Sequence, residues 1–172
     1  MNALPATETL RFDDVPSPVG RLRLIASEVA LVGIWFEHGR DAARNTLWLT
    51  RRPSHVIEMA STQLEEYFAG RRQEFELQLD PRGTDFQRRV WQRLLKIPYG
   101  TTTTYGALAR ELGDPGASRA VGLANGSNPL PIVIPCHRVI GANGTLTGFG
   151  GGLPTKAALL DLERSATQPR LL

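Results

Sequence analysis

Cysteine is almost missing from this chain: Cys136 is the only one in 172 residues. A single thiol excludes any intrachain disulfide and any zinc cluster built from several cysteines. Lysine is nearly as scarce. Of the 20 basic residues only Lys96 and Lys156 are lysine, so nearly all the positive charge is arginine, the side chain best suited to phosphate. Long apolar runs are absent as well. The longest, near Ala30 to Phe36, falls far short of the roughly 20 residues that cross a bilayer. Met1 to Arg11 carries an acid at Glu8 and no apolar core, so no secretory signal is expected there. There is no internal repeat and no low-complexity tract. A cytoplasmic protein without membrane contact, metal or cofactor is the expectation.

The hydrophobic share of 41% and charged share of 22% are those of a globular protein with a core of its own. Its charge is unevenly divided. Residues 1–80 hold 9 basic and 12 acidic residues (net −3), residues 81–172 hold 11 and 5 (net +6), and the sum is the +3 of the whole chain. A basic half joined to an acidic one suggests that the C-terminal half meets a polyanion, an ordinary basic surface being the other reading. Asp80-Pro81-Arg82-Gly83 breaks the pattern between them. Two domains are therefore expected, 1–80 and 81–172.

In the first, Ser17-Pro18-Val19-Gly20 reads as a turn, with Arg21 to Ile25 and Leu31 to Phe36 as the strands of a hairpin. Asp41 to Arg52 is poorly patterned and reads as loop with one helical turn. His55 to Phe68 fits a helix stopped by Gly70, and Glu74 to Leu79 alternates as a half-buried strand. In the second, Thr84 is the N-cap of a helix with the apolar stripe Phe86, Val90, Trp91, Leu94 and Leu95. Thr101 to Thr104 has strand or turn character. Tyr105 to Leu112 and Ala117 to Asn125 form two short helices around Asp114-Pro115-Gly116, which fits either a helix-turn-helix or plain packing. A last helix runs from Pro154 to Glu163, and Ser165 to Leu172 reads as a frayed tail.

The chemistry gathers in Asn128 to Arg138, Asn-Pro-Leu-Pro-Ile-Val-Ile-Pro-Cys-His-Arg. Prolines 129, 131 and 135 stiffen the backbone around the apolar run Ile132 to Ile134. Cys136 is either a buried structural thiol or a nucleophile, and its basic flank, which lowers a thiol pKa, favours the second. In an extended segment neighbours point apart, so His137 reaches the sulfur only through a bend or a water. Glu163 is the candidate to orient His137, a solvated helix-end carboxylate being the alternative.

From Arg119 to Glu163 the sequence resembles the O6-alkylguanine-DNA alkyltransferases, the methylated-DNA–protein-cysteine methyltransferase family. The resemblance rests on Arg119-Ala120-Val121-Gly122, Asn128-Pro129, Ile134-Pro135-Cys136-His137-Arg138-Val139-Ile140, Gly151-Gly152-Leu153 and Lys156 to Glu163. With the Tyr105 and Phe86 to Trp91 helices it spans about residues 81–164. It implies an α/β fold, a small N-terminal sheet and helix of ribonuclease H-like outline followed by a mostly helical, winged helix-turn-helix-like domain. It implies a monomer, with cooperative binding left open, that acts on double-stranded DNA and moves an alkyl group from O6-alkylguanine, or O4-alkylthymine, to Cys136 in a single turnover.

By that resemblance His137 accepts the thiol proton through a water, Glu163 orients His137, Tyr105 donates toward the leaving guanine, and Asn128 fixes the turn before the cysteine segment. Arg119 fills the stack as the nucleotide swings out, because chemistry on a base requires its extrusion. Ala117, Ala120 and Gly122 allow close approach to the minor groove, with Tyr105 and Thr103 also at the DNA, and Pro131, Val139, Phe149 and Gly150 line the pocket. Some members carry Tyr then Ser where this chain has Phe149-Gly150, two fewer polar groups beside the base. A lesion sensor without transfer and a cysteine hydrolase are the rivals; Cys136 argues against the first, and the second needs an oxyanion hole and a sequence-remote histidine.

Overall fold

The computed structural model describes residues 8–41, 44, 46 and 49–168. The readings for residues 1–7, for part of 41–52 and for the tail end 169–172 lie outside them. Strand β1 (Leu10–Val15) is joined through the Ser17–Gly20 turn to β2 (Leu22–Ala26), which pairs with β3 (Leu31–Phe36). A fourth, short strand, β4 (Leu49–Arg51), lies parallel to β1, so the sheet order is β3-β2-β1-β4. The hairpin is as expected. Strands β1 and β4 are not foreseen, because Arg11, Asp13 and Asp14 dilute the alternation of one and the other is only three residues long.

Helix α1 (His55–Phe68) is capped by Ser54, whose side chain accepts from Ile57 N, and it lays Ile57, Ala60, Leu64 and Tyr67 into the core. The expected strand at Glu74 to Leu79 is corrected. It runs alongside β3 but joins it only by one bridge, Leu31 to Leu79, with Leu31 N donating to Gln78 O and Asp80 N to Leu31 O. Part of its pairing goes instead to a side chain: Glu76 N donates to Gln63 Oε1 and Gln63 Nε2 to Glu76 O.

Helix α2 (Asp85–Leu94) begins in a reciprocal capping box between Thr84 and Gln87. Its Trp91 is buried and donates from Nε1 to Ala124 O at 2.8 Å. Strand β5 (Thr103–Thr104) leads directly into α3 (Tyr105–Glu111), which Thr104 caps through Ala107 N. Gly113 at φ +85° and a 3-10 turn at Pro115–Ala117 connect it to α4 (Ser118–Gly126). Strand β6 (Val139–Ile140) pairs in parallel with β5, and α5 (Leu153–Thr167) closes the chain. The frayed tail is also corrected: the helix continues to Thr167, which packs so closely on Gly100 that a Cβ there would meet its methyl at 2.7 Å. One cluster of buried side chains runs from the sheet and α1 through α2 and α4 to Leu159 of α5. This is a mixed α/β chain, a small sheet with its helix packed on a helical half, and the cysteine segment lies within that shared core.

Candidate active site

The backbone bends sharply just before the thiol. Pro135 has φ −81° and ψ 63°, and Cys136 N donates to Ile134 O at 2.8 Å, the geometry of an inverse γ-turn. Cys136–Arg138 then forms a single 3-10 turn. The segment is therefore not extended at the cysteine: the proline turns the chain, which is the bend that the sequence leaves open. Ile132, at φ +75°, is the one non-glycine among the described residues in left-handed backbone, a costly conformation for a β-branched side chain. Asn128 steadies this turn: its Oδ1 accepts from Leu130 N at 2.9 Å and its Nδ2 donates to Ile134 O at 2.8 Å. Asn125 Nδ2 adds a 3.4 Å contact to Cys136 O.

Behind the thiol lies a buried charged cluster. His137 Nε2 meets Glu163 Oε1 at 2.6 Å, and neither side chain is exposed. Arg138 grips the same carboxylate with two bonds, Nε to Oε2 and Nη2 to Oε1, both 2.9 Å. Its third donor, Nη1, reaches Ile97 O at 2.7 Å. Gly100 N donates to Oε2 at 3.1 Å, and the Tyr67 hydroxyl donates to Oε1 at 2.8 Å. Glu163 is thus not a solvated helix-end carboxylate. Burial alone would raise its pKa, but the hydrogen bonds from His137 and Arg138 bring it down to about 2.

Burial pushes the Cys136 thiol up, against the weaker opposing effects of a hydrogen bond from Asn128 and the charges of Lys156 and Arg40. This corrects the expected lowering by a basic flank, because Arg138 turns away from the sulfur to Glu163 and cancels its charge. Burial likewise holds His137 below its usual value, although Glu163 pulls the other way. Both shifts favour the neutral pair, a thiol beside an uncharged imidazole. With Nε2 donating to Glu163, Nδ1 carries the free lone pair, and it is buried with no hydrogen-bond partner among the described residues.

The cavity beside Cys136 has a volume of about 10 Å³, room for a single water and not for a purine. Pro131, Phe149 and Gly150 are among the residues that line it. Val139 does not line it: the residue is buried in the core, and its carbonyl accepts from Lys156. Tyr105 is half-buried, and its hydroxyl accepts from Thr147 Oγ1 at 3.0 Å, which leaves its own proton free. On α4, Arg119 and Ala120 face outward, while Ala117 just before it and Gly122 are half-buried. Gly122 lies against the Tyr105 ring, which a Cβ would meet at 3.7 Å, so it serves the packing of α3 on α4 rather than the outer face. Thr103 is half-buried in β5.

Two sequence models of one family match the chain, both described as 6-O-methylguanine DNA methyltransferase: its ribonuclease-like domain over residues 11–81 and its DNA binding domain over residues 85–165. A methylated-DNA–protein-cysteine methyltransferase of Mycobacterium bovis is 49% identical over 156 residues, 91% of this chain and 93% of its own length. The chain belongs to the 6-O-methylguanine DNA methyltransferase family. A relative of the same name in Methanosarcina acetivorans is 48% identical over 87% of this chain and 95% of its own. The crystal structure of Mycobacterium tuberculosis O6-methylguanine methyltransferase superposes with a TM-score of 0.85 at 46% identity, covering 95% of this chain and 98% of that one. The M. tuberculosis protein OGT in complex with DNA superposes at 0.84, with 48% identity over 92% and 94% of the two chains.

In this member of the methyltransferase family, several site residues were not foreseen. Lys156 is fully buried, and its Nζ donates to Val139 O at 2.6 Å and Thr147 O at 2.9 Å, tying the loop that meets Tyr105 to α5. The helical spacing held that signal, since Lys156 and Glu163 lie seven residues apart in the same stripe as Leu159 and Leu160. Arg40 reaches from the N-terminal half to the carbonyls of Gly126 and Asn128, and its backbone N donates to Gly150 O at 3.2 Å. Gly39 beside it, at φ +78°, approaches Gly150 O so closely that a Cβ would be 2.3 Å away. No local pattern marks Arg40. Among the described residues no helix is long and apolar enough to cross a membrane.

Proposed function

We propose that this protein repairs DNA directly, taking the alkyl group of O6-alkylguanine, and of O4-alkylthymine, onto Cys136 in one irreversible turnover per molecule. It does so as a monomer on double-stranded DNA. The names of its relatives support methylated DNA as the substrate class. The observation that carries the reading is the buried 2.6 Å bond from His137 to Glu163 directly behind the thiol, with the other imidazole nitrogen left free. The sulfur attacks the alkyl carbon, the S–C bond forms as the C–O6 bond breaks, and the electron pair leaves with guanine. The thiol proton passes through a water to His137 Nδ1. Glu163 stabilises the resulting imidazolium, and Tyr105 gives its free proton to the departing base, which neutralises the charge developing there. Once His137 releases its proton to solvent and Tyr105 takes one up, thiol and alkylguanine have become thioether and guanine.

A duplex carrying a radiolabelled O6-methylguanine tests this. Label should become covalent on the peptide that contains Cys136, with at most one methyl per molecule. Label released as methanol would indicate hydrolysis, and label retained on DNA in a stable complex would indicate a sensor; either sinks the reading.

The outward stripe of α4 comprises Arg119, Ala120 and Leu123, the last 73% exposed one turn beyond Arg119. A small residue, an apolar one and one arginine suit insertion into a groove better than solvation. Extruding a paired base costs a few kcal/mol, offset in part by whatever fills the hole. If Arg119 is that filler, Arg119→Ala should slow repair in duplex by at least tenfold and repair of the free modified base hardly at all. Arg119→Lys should rescue only in part, because lysine lacks the planar group that stacks on bases. Single-turnover rates on both substrates decide it. Equal slowing on both removes Arg119 from the flipping step.

A further inference from the structure

Tyr67 lies near the end of α1, in the half of the molecule that supplies none of the reacting groups, yet its side chain is fully buried against the relay. Its hydroxyl crosses 96 residues of sequence to donate to Glu163 Oε1 at 2.8 Å, the oxygen that also takes the 2.6 Å bond from His137. Its ring is fixed independently of that bond, at 5.3 Å from Phe68, 5.5 Å from Phe75 and 6.1 Å from Tyr99. We propose that Tyr67 is a positioning residue of the transfer relay: by sharing Oε1 with His137, its hydroxyl sets how strongly the carboxylate holds the imidazolium. This rests on the alkyl-transfer reading above.

The reasoning is electrostatic. Each donor to a carboxylate oxygen stabilises its charge and leaves less of it for the others. Burial, then the charge of Glu163, push the Tyr67 phenol far up, so it remains a neutral donor throughout the working range. The other groups facing the pair are Arg138, Tyr99, Lys156 and Cys136. Arg138 is held in its fork on Glu163, and Tyr99 is pushed further from ionising, by burial and by Glu163. Lys156 is pinned by two carbonyls. The acid limb of the rate profile therefore belongs to the coupled Cys136 and His137 pair.

Tyr67→Phe keeps the ring and removes the donor. More charge then rests on Oε1, the imidazolium is favoured, and neutral His137 is lost at a higher pH. The acid limb of the single-turnover profile, measured on free O6-methylguanine so that DNA binding plays no part, should move up by about half to one pH unit. Tyr67 replaced by a ring-fluorinated tyrosine, a stronger donor of nearly the same shape, should move it down. A profile that superimposes on the parent in both variants, whatever the change in rate or melting temperature, overturns the proposal and leaves Tyr67 as packing. If Tyr67→Phe does not fold, the fluorinated protein decides alone. Glu163→Gln, run in parallel, separates this from the reading beneath it. If its profile also matches the parent, it is the relay that fails; if only the Tyr67 variants match, the relay stands without Tyr67.

Discussion

Cys136→Ala is expected to lose alkyl transfer completely while keeping its fold and its grip on alkylated duplex. Removing the nucleophile from an enzyme that works by covalent attack costs on the order of a million-fold, which here means the background rate. The loss is chemical rather than structural. The sulfur is buried, but alanine removes only one heavy atom, and the resulting void costs about 1 kcal/mol. The turn that carries residue 136 is set by Pro135, by Asn128 on Ile134 and by Asn125 on the backbone carbonyl of residue 136, and alanine at 136 keeps all three. The helix that carries Tyr105 is capped by Thr104, and the helix that carries Arg119 is held by Trp91 on Ala124 O. Mass spectrometry after incubation with methylated duplex should find no added methyl group, while gel-shift affinity stays at or above that of the parent. A variant that still removes one methyl group per molecule would mean the acceptor lies elsewhere. A variant that fails to bind duplex would mean that the thiol supports the groove-facing surface.

How much of this could be read from the sequence depends on whether the signal is local. The helices His55–Phe68 and Asp85–Leu94 announce themselves, because Ser54 and Thr84 cap them and their apolar residues recur at helical spacing. Strand β4 does not, since three residues hold no period. Glu74 to Leu79 has the alternation of a strand and nearly no ladder, because periodicity reports which face is buried and not which partner supplies the hydrogen bonds. The site divides in the same way. Cys136, His137 and Asn128 lie within nine residues of one another and carry a recognisable order of residue types. Tyr67 and Arg40 join the site only through folding, across 96 and 86 residues. The protonation state is the clearest loss. Sequence places two basic residues beside a thiol and suggests a thiolate, but Arg138 spends its charge on Glu163 and burial then favours the neutral thiol.

That diversion makes Arg138 the most consequential of the residues that touch no substrate. Its guanidinium forms both bonds of a fork with Glu163, a third with Ile97 O, and lies 5.5 Å from the Tyr99 ring centroid. A buried ion pair adds little net stability over apolar packing, yet removing one partner strands the other, at a cost of about 3–5 kcal/mol. Arg138→Met is therefore expected to lose about that much in urea unfolding, with the m-value unchanged. It also removes a cation that disfavours the imidazolium, so His137 becomes more basic and the acid limb of the rate profile moves to higher pH. Arg138→Lys keeps the charge but not the fork, and should recover part of the stability. The decisive variant is the double, Arg138→Met with Glu163→Gln. If the cost is the stranded carboxylate, neutralising Glu163 should make the double variant more stable than Arg138→Met alone. Additive losses would mean instead that Arg138 stabilises the fold mainly through Ile97 and Tyr99. A loss under about 1 kcal/mol in the single variant would mean that Tyr67, Gly100 and His137 suffice to hold the charge of Glu163.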